Sequence, residues 1–345
     1  MKIKSVFITL VLMVMISSAL FASGPKLGTS AAPELMIPMG ARNVALGGAN
    51  IADIGGSEAI YWNPAGLSLI KGGEATFSYL DYFADMKISY LAAGTKIGRT
   101  GALGISLQMF SVGEVAVTTI EAPEGTGEIL KPNFMTLGAT YARQFTDRIN
   151  FGISLKVISE KIGNMSASAV AFDFGLQYVS PFNIAFGLTM RNFGSDMAYN
   201  GTGIEFDTQV PWSNPNATTR KTKLDMGSAE LPTSLNMGIS YDYKLDRLQT
   251  LKLSGVYANN SYAIDQAGVG VEYAFNKMVY LRGGYAMPFY PEDYPEGYKE
   301  DGQFGATFGL GLAVPMGGSA LMIDYAYRNM DLFDANQYFS IGFSF

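Results

Sequence analysis

The 345-residue chain contains no cysteine and no histidine. Without cysteine there is no disulfide framework, no thiol nucleophile and no attachment point for a lipid after a leader. Without histidine the chain lacks the usual general base and the commonest metal ligand. The acidic residues follow no spacing that marks a catalytic carboxylate pair. We therefore predict that the protein is not an enzyme and that it uses no metal and no cofactor.

Charge is also scarce in this sequence. Lys, Arg, Asp and Glu make up 16% of the chain, whereas about 25% is typical. The net charge of −6 and the lack of a basic stripe argue against nucleic acid as a partner, because phosphate binding depends on clustered Lys and Arg. Glycine, tyrosine and phenylalanine are abundant instead, at 40, 20 and 22 residues. Few charges and many aromatic side chains favour a wall that faces lipid.

Long apolar runs are missing after the first residues. Lys2 and Lys4 precede an apolar run from Val6 to Leu20, and small residues follow it. This arrangement is typical of a cleavable secretory signal, which we place at residues 1–22. No later window approaches the roughly 20 apolar residues of a membrane-spanning helix. If the mature chain lies in a membrane, helices do not hold it there.

Apolar and polar residues alternate through most of the remaining chain. At the carboxyl end, the apolar residues Phe339, Ile341, Phe343 and Phe345 alternate with Tyr338 and small residues, which is the period of a β-strand. About fourteen such runs lie between Glu74 and the end, and most reach the length of a tilted membrane strand. Strands in soluble proteins are shorter, at about 5 to 6 residues.

The links between these runs favour a barrel. Every second link is short: Gly98–Gly101, Thr146–Arg148, Ser180–Asn183, Lys244–Arg247, Phe275–Lys277 and Pro315–Ser319. The intervening links tend to be longer: Val112–Pro132, Gly194–Glu230 and Phe289–Asp301. Short periplasmic turns alternate with longer external loops in outer-membrane barrels, whose strand number is even. We predict an all-β fold, a transmembrane antiparallel β-barrel of about 14 strands over residues 73–345, with both of its ends in the periplasm.

The predicted lumen face consists mainly of Gly, Ser, Thr and Ala, with isolated charges. The lumen-facing charges are Lys156, Asp173, Lys252, Glu272, Arg282, Asp324 and Arg328. Charged side chains are ordinary in a polar lumen. We therefore favour ion pairs between them and Arg42, Asp53 or Glu58 over a relay for a substrate.

The segment from Gly40 to Ser68 is the only long stretch after the leader that does not alternate. Its glycines permit tight bends and close approach of the backbone. Asn63 before Pro64 provides an N-cap and a first residue for a turn of helix. We predict that residues 23–72 form a plug and that its Gly40–Ser68 part lies inside the periplasmic half of the barrel.

The stretch GARNVALGGANIADIGGSEAIYWNPAGLS resembles the amino-terminal region of the PorV/PorQ family, which belongs to the FadL-like group of outer-membrane barrels. Asp324–Tyr327 and the final FSIGFSF resemble the ends of the same proteins, while the middle matches only in strand pattern. The resemblance implies a fourteen-stranded barrel closed by an N-terminal hatch. The corresponding residues here are Asn63, Pro64, Ala65 and Gly66 of the hatch motif and Arg42, Gly47, Gly48, Asp53 and Trp62 of the plug.

The resemblance also implies two functions of different kinds. FadL-like members pass hydrophobic compounds such as fatty acids through the outer membrane, by way of the hatch and an opening in the barrel wall. PorV-like members serve the type IX protein secretion system. Since a fold does not choose between functions, we expect a transport protein of the bacterial outer membrane, with the secretion role as the alternative. The implied partners are outer-membrane lipid, a hydrophobic ligand and secretion-system proteins.

Two external loops leave further alternatives open. The loop Gly194–Glu230 contains Pro211, Trp212 and Pro215, and its length suits either a lid over a ligand or an ordinary surface loop. A later loop carries five acidic residues, which are Glu292, Asp293, Glu296, Glu300 and Asp301, among tyrosines. Their spacing matches no calcium-binding template, so we favour a solvated loop over a divalent-cation site.

Overall fold

The computed structural model describes residues 26–98, 100–209, 214, 219–290, 305–330 and 335–345. The predicted signal peptide, the three loop residues Pro211, Trp212 and Pro215, and the acidic cluster between 292 and 301 lie outside the described residues. Within the described chain, no helix has the length and apolarity needed to cross a membrane.

The alternating runs form fourteen long antiparallel strands. They are β1 (Gly73–Asp81), β2 (Lys87–Ile97), β3 (Gly101–Ser111), β4 (Asn133–Thr146), β5 (Ile149–Ile162), β6 (Met165–Val179), β7 (Ile184–Gly194), β8 (Ser234–Lys244), β9 (Gln249–Asn260), β10 (Asp265–Phe275), β11 (Val279–Phe289), β12 (Gly305–Met316), β13 (Ser319–Arg328) and β14 (Asn336–Ser344). Each strand pairs with its neighbours in the chain. The prediction of fourteen strands is confirmed.

The sheet closes on itself, because β14 also pairs with β1. This seam runs from the pair Glu74 and Ser344 to the pair Asp81 and Gln337 without a break in register. Closure leaves no open sheet edge, so the backbone N–H and C=O groups of the strands bond to one another rather than to solvent. The molecule is therefore a closed antiparallel barrel.

The two ends of the barrel differ in their connections. All six links predicted to be short join consecutive strands at one end, which we call the turn end. The other end, which we call the loop end, carries the long connections 112–132 and 195–233, but the links at 163–164 and 261–264 are short as well. Two short hairpins project there, Val115–Ala116 with Ile129–Leu130 and Glu205–Thr208 with Arg220–Lys223. A two-residue strand, Asn200–Gly201, pairs antiparallel with the first two residues of β6. A 3-10 helix follows it at Thr202–Ile204.

Successive residues of each strand face opposite sides of the wall. On β12, Phe308 and Leu310 are 59% and 56% exposed, whereas Thr307, which faces the lumen, is 2% exposed. The exposed positions of the wall are mainly Leu, Ile, Val, Phe and Tyr. A surface of this composition suits lipid rather than water.

One irregularity interrupts this pattern in β7. The register between β6 and β7 shifts between Phe172 and Phe174, and Asn192 has a φ of 58°. As a result of this bulge, the consecutive residues Arg191 and Asn192 are both buried.

The residues before β1 form an N-terminal segment, which we define as residues 26–72. It contains the short helices α1 (Ala41–Val44) and α2 (Ala59–Trp62) and two 3-10 helices, Pro33–Met36 and Pro64–Leu69. The predicted turn of helix thus begins at Pro64 as a 3-10 helix. Most residues between 39 and 68 are buried against the inward faces of the strands and form the main apolar core with them.

Candidate functional site

The N-terminal segment contacts the barrel wall through inward-facing glycines. A Cβ added to Gly187 would lie 2.6 Å from the carbonyl oxygen of Ile51, and one added to Gly270 would lie 2.6 Å from that of Leu46. Real Cβ atoms do not approach other atoms this closely, so only glycine leaves room for the segment. The inward glycines that meet the segment, which we call the glycine belt, are Gly94, Gly104, Gly152, Gly175, Gly187, Gly238, Gly268, Gly270, Gly284 and Gly309.

The belt follows the segment around the inside of the barrel. Ala45 lies against β12, Leu46 and Gly47 against β10 and β11, and Ile51 against β7 and β8. Farther along, Asn63 and Pro64 lie against β6 and β5. The segment therefore contacts strands on all sides of the lumen, which explains why so many inward positions are small.

Asn63 connects the segment to itself and to the wall. Its Oδ1 accepts a hydrogen bond from the backbone N–H of Ala65 at 3.2 Å, which caps the 3-10 helix. Its Nδ2 donates to the carbonyl oxygen of Ile51 at 2.9 Å and to that of Leu176 on β6 at 3.2 Å. Asn63 is 0% exposed, and Gly66 has no room for a side chain beside Ile54.

The aromatic residues of α2 hold the preceding part of the segment. Trp62 donates through Nε1 to the carbonyl oxygen of Met39 at 2.7 Å, and the Tyr61 hydroxyl donates to that of Ile37 at 2.5 Å. The two rings meet edge to face, with centroids 5.2 Å apart. Arg191, from the bulge in β7, lies 4.2 Å from the centroid of the Tyr61 ring, a cation–π contact.

Ion pairs fix the other side of the segment. Arg42 contacts Glu272 on β10 through two hydrogen bonds of 3.1 Å each. Arg282 on β11 contacts the same carboxylate at 2.7 Å and Asp324 on β13 at 2.5 Å. The nearby carboxylate of Glu272 raises the pKa of Arg42, while burial raises the pKa of Glu58 to about 7 despite the opposing influence of Arg42.

The remaining predicted charges occupy three further places. Asp53 of the segment pairs with Lys252 on β9. Lys156 on β5 pairs with Asp173 on β6 at 2.8 Å and bonds to Asn192. Arg328 lies beside the cavity described below. The structure therefore groups the seven lumen charges into four places rather than one continuous row.

A buried pair of acids lies near the loop end. Glu34, in the 3-10 helix Pro33–Met36, and Glu160, on β5, are each 3% exposed. Both carboxylate oxygens of Glu34 lack a hydrogen-bond partner among the described residues, whereas Glu160 accepts one from Tyr199. Burial, and then the charge of Glu160, raise the pKa of Glu34 to about 8.

A cavity of about 350 Å³ lies between the N-terminal segment and the loop end. Leu35, Met36 and Trp62 contribute from the segment, and Val256, Ala258 and Ala286 contribute from the strands. Arg191, Asn192 and Arg328 add polar groups. A mostly apolar cavity with a few polar groups, at the lower end of the usual range of roughly 300 to 1,000 Å³, has the properties of a small-molecule site.

Sequence reasoning missed the two residues that bring polarity to this cavity from β7. Strict alternation directs only one of two consecutive strand residues into the lumen, so it cannot predict that both Arg191 and Asn192 face the cavity. The signal present in the sequence is the pair itself: Arg-Asn-Phe-Gly interrupts the apolar alternation just before a long loop. Glu34 was also missed, because nothing local marks it as a partner of a residue 126 positions away.

A closed fourteen-stranded barrel of this kind is the fold of FadL-like outer-membrane channels, as solved structures show. The toluene transporter TbuX of Ralstonia pickettii is similar with a TM-score of 0.55 at 14% identity, over 89% of this chain and 98% of that chain. The toluene transporter TodX of Pseudomonas putida gives 0.51 at 15% identity, over 87% and 95%. A FadL homologue of Pseudomonas aeruginosa gives 0.50 at 11%, over 90% and 99%.

The sequence itself identifies the family. Residues 23–259 match the family described as Type IX secretion system protein PorV. This match covers more than half of the chain, so the protein belongs to the PorV family. No curated protein sequence matches the chain significantly.

Proposed function

We propose that the protein passes hydrophobic small molecules across the bacterial outer membrane and that the N-terminal segment is the plug of the barrel. The observation that carries the proposal is the mostly apolar cavity between the segment and the loop end. The similar structures, which include toluene transporters and a FadL homologue, support it at the level of ligand class. We infer export by a signal peptide at residues 1–22 and no enzymatic activity.

In this proposal the cavity is the first binding site, and the plug separates it from the turn end. Trp62 and Tyr61 line the cavity from the N-terminal segment. Both side chains donate hydrogen bonds to backbone carbonyl groups within residues 37–39 of the segment. The ion pairs of Arg42 and Asp53 with the wall hold the plug in place. Movement of a ligand past this layer requires the segment to shift.

Quenching of Trp62 tests ligand binding directly. The chain has two tryptophans, so Trp212→Phe leaves Trp62 as the only one. A long-chain fatty acid brominated near its end should quench the fluorescence of this variant saturably in detergent. Adding Ala286→Leu, which fills part of the cavity, should weaken the quenching. Val269→Leu on the exposed face of β10 is the matched control and should leave it unchanged.

Two results would contradict the proposal. One is quenching that rises linearly with the fatty acid, as simple partition into the micelle predicts. The other is equal loss of quenching in the Ala286→Leu and Val269→Leu variants, because only the first changes the cavity.

The family match favours a second candidate, an accessory role in type IX protein secretion. In this role the wall and loops bind other proteins, and the cavity is dispensable. Deletion of the gene should then leave cargo proteins with type IX sorting domains unsecreted. Complementation with Ala286→Leu separates the two functions, since it should restore secretion without restoring ligand binding.

A further inference from the structure

Exposed cations collect at the turn end of the barrel. Six exposed Lys and Arg side chains lie in its turns and at the adjoining strand ends, which are Lys96, Arg143, Arg148, Lys244, Arg247 and Lys277. Only two exposed acidic side chains, Asp147 and Asp246, accompany them in the turns that the structure describes. We call these six residues the cationic rim.

The rim is not a sign of general basicity. The whole chain has a net charge of −6, and the loop end is acidic. The described loop 112–132 carries four acidic residues, Glu114, Glu121, Glu124 and Glu128, and one basic residue, Lys131. Exposed cations therefore outnumber exposed acids at the turn end, whereas exposed acids outnumber exposed cations in the described part of the loop end.

The rim cations are available to an external anion. The ion pairs of the described residues use other cations, namely Lys26, Arg42, Lys131, Lys156, Lys221, Lys252 and Arg282. Arg143 lies 5.9 Å from the ring centroid of Phe145, a contact that leaves its N–H groups free to donate. Six unpaired cations at one rim repel one another until an anion neutralises them.

Apolar side chains accompany the cations at the same rim. Phe145 and Phe182 are strongly exposed, at 61% and 60%. Leu245, Leu248 and Met316 are also exposed in the turns. These side chains continue the apolar surface of the wall beyond the strand ends. Apolar tips beside long cationic side chains are typical of a protein surface in the head-group layer of a membrane.

We propose that the cationic rim binds the head groups of anionic phospholipids in the leaflet at the turn end. Lys and Arg donate to the phosphate oxygens, and Arg148 and Arg247 each present two parallel N–H groups to them. The exposed Phe and Leu residues insert beside the same lipids. A lipid surface satisfies both features of the rim, whereas a soluble acidic partner would leave the apolar tips unexplained. This inference does not rest on the proposed function.

Lipid competition tests the proposal. The full chain is placed in mixed micelles with equal amounts of phosphatidylglycerol and phosphatidylcholine, and the lipids that remain bound are counted by native mass spectrometry. The wild type should retain phosphatidylglycerol preferentially. The four substitutions Lys96→Gln, Arg148→Gln, Arg247→Gln and Lys277→Gln together should lower its apparent affinity by about six hundredfold, since each cation near an anionic surface contributes about fivefold.

A matched variant changes the same number of charges at the loop end. It carries Lys131→Gln, Arg220→Gln, Lys221→Gln and Lys223→Gln, and it should keep the preference for phosphatidylglycerol. Equal binding of the two lipids by the wild type would overturn the proposal, and so would an equal loss in the matched variant. If the fourfold rim variant does not fold, Arg148→Gln and Arg247→Gln are tested singly, and each should reduce the preference severalfold. An excess of inorganic phosphate should not displace the lipid.

Discussion

At the scale of single residues, Asn63 connects the N-terminal segment both to itself and to the wall. It caps the 3-10 helix Pro64–Leu69 and donates to Ile51 of the segment and Leu176 of the wall. We expect Asn63→Ala to lower the free energy of unfolding by about 2 to 4 kcal/mol, because a cap is lost and the carbonyl groups of Ile51 and Leu176 each lose one donor. Urea titration in detergent, followed by the heat-shifted band on a gel, measures the change.

Asn63→Asp is the control for this prediction. Aspartate retains the oxygen that caps the helix but cannot donate to the carbonyl groups of Ile51 and Leu176. Its loss should therefore come from the missing donor and from burial of a carboxylate beside two carbonyl oxygens, and it should be at least as large as that of Asn63→Ala. If the alanine variant were as stable as the wild type, Asn63 would not fix the segment to the wall.

Glu34 makes stability depend on pH. Burial and the neighbouring Glu160 raise its pKa from 4.5 to about 8, so the folded protein favours the protonated acid. Tyr199 is the other titratable group in contact with the pair. As the pH rises from about 4.5 to 8, the unfolded chain releases a proton that the folded protein keeps, and the free energy of unfolding falls.

The corresponding prediction compares Glu34→Gln with the wild type. The wild type should lose stability between about pH 5 and pH 9, and Glu34→Gln should lose less, since its amide does not ionise. Unfolding titrations at a series of pH values measure both slopes. Parallel slopes in the two proteins would mean that Glu34 ionises freely in the folded state.

At the scale of elements, the contact between the glycine belt and the segment depends on the absence of a Cβ atom at individual positions. On β11, a Cβ at Gly284 would collide with the backbone of Leu46 and Gly47, whereas one at Gly283 would find only the Thr307 carbonyl oxygen, at 4.0 Å. The two glycines are adjacent and face opposite sides of the wall. Gly284→Ala should therefore displace the segment, and Gly283→Ala should not.

Conductance in a planar bilayer measures this difference. If the segment plugs the lumen, Gly284→Ala should show open-channel events that the wild type and Gly283→Ala lack. Equal conductance in the three proteins would contradict the plug, provided that each shows the heat-shifted band of a closed barrel.

The same elements show how far the sequence predicts the structure. Strands such as β12 and β14 follow from alternation, since each residue is sorted locally to lipid or lumen. The six short turns follow from the strand ends. The path of the N-terminal segment could not be predicted from the sequence, because its contacts join residues that are far apart in the chain, such as Arg42 and Glu272. The bulge at Arg191 also escaped, because it breaks the period on which the prediction depends.

At the scale of the whole molecule, the N-terminal segment extends between the two ends of the barrel. The backbone N–H of Ala31 bonds to the carbonyl oxygen of Glu230 in a loop-end connection at 3.0 Å, and Lys26 lies 3.7 Å from the Glu230 carboxylate. The chain then reaches Gly73 at the turn end. Residues 26–31 therefore lie at the loop end, whereas the location predicted in the periplasmic half concerns only Gly40–Ser68.

Cysteine labelling tests this topology, because the chain has no cysteine of its own. In intact cells, a maleimide that does not cross membranes should label Lys26→Cys and Gly127→Cys, which lie at the loop end. It should not label Gly317→Cys in a turn-end link. Labelling of Gly317→Cys alone would reverse the orientation, and protection of Lys26→Cys with labelling of Gly127→Cys would remove residue 26 from the exposed face.

The seam between β1 and β14 also constrains how the protein is assembled. The last strand to leave the ribosome closes the barrel against the first, and by then the segment must already lie where the lumen will be. A chain that closed its seam first would have to insert the N-terminal segment, residues 26–72, into a finished ring. We therefore expect the leading residues to be positioned first and the wall to be completed around them.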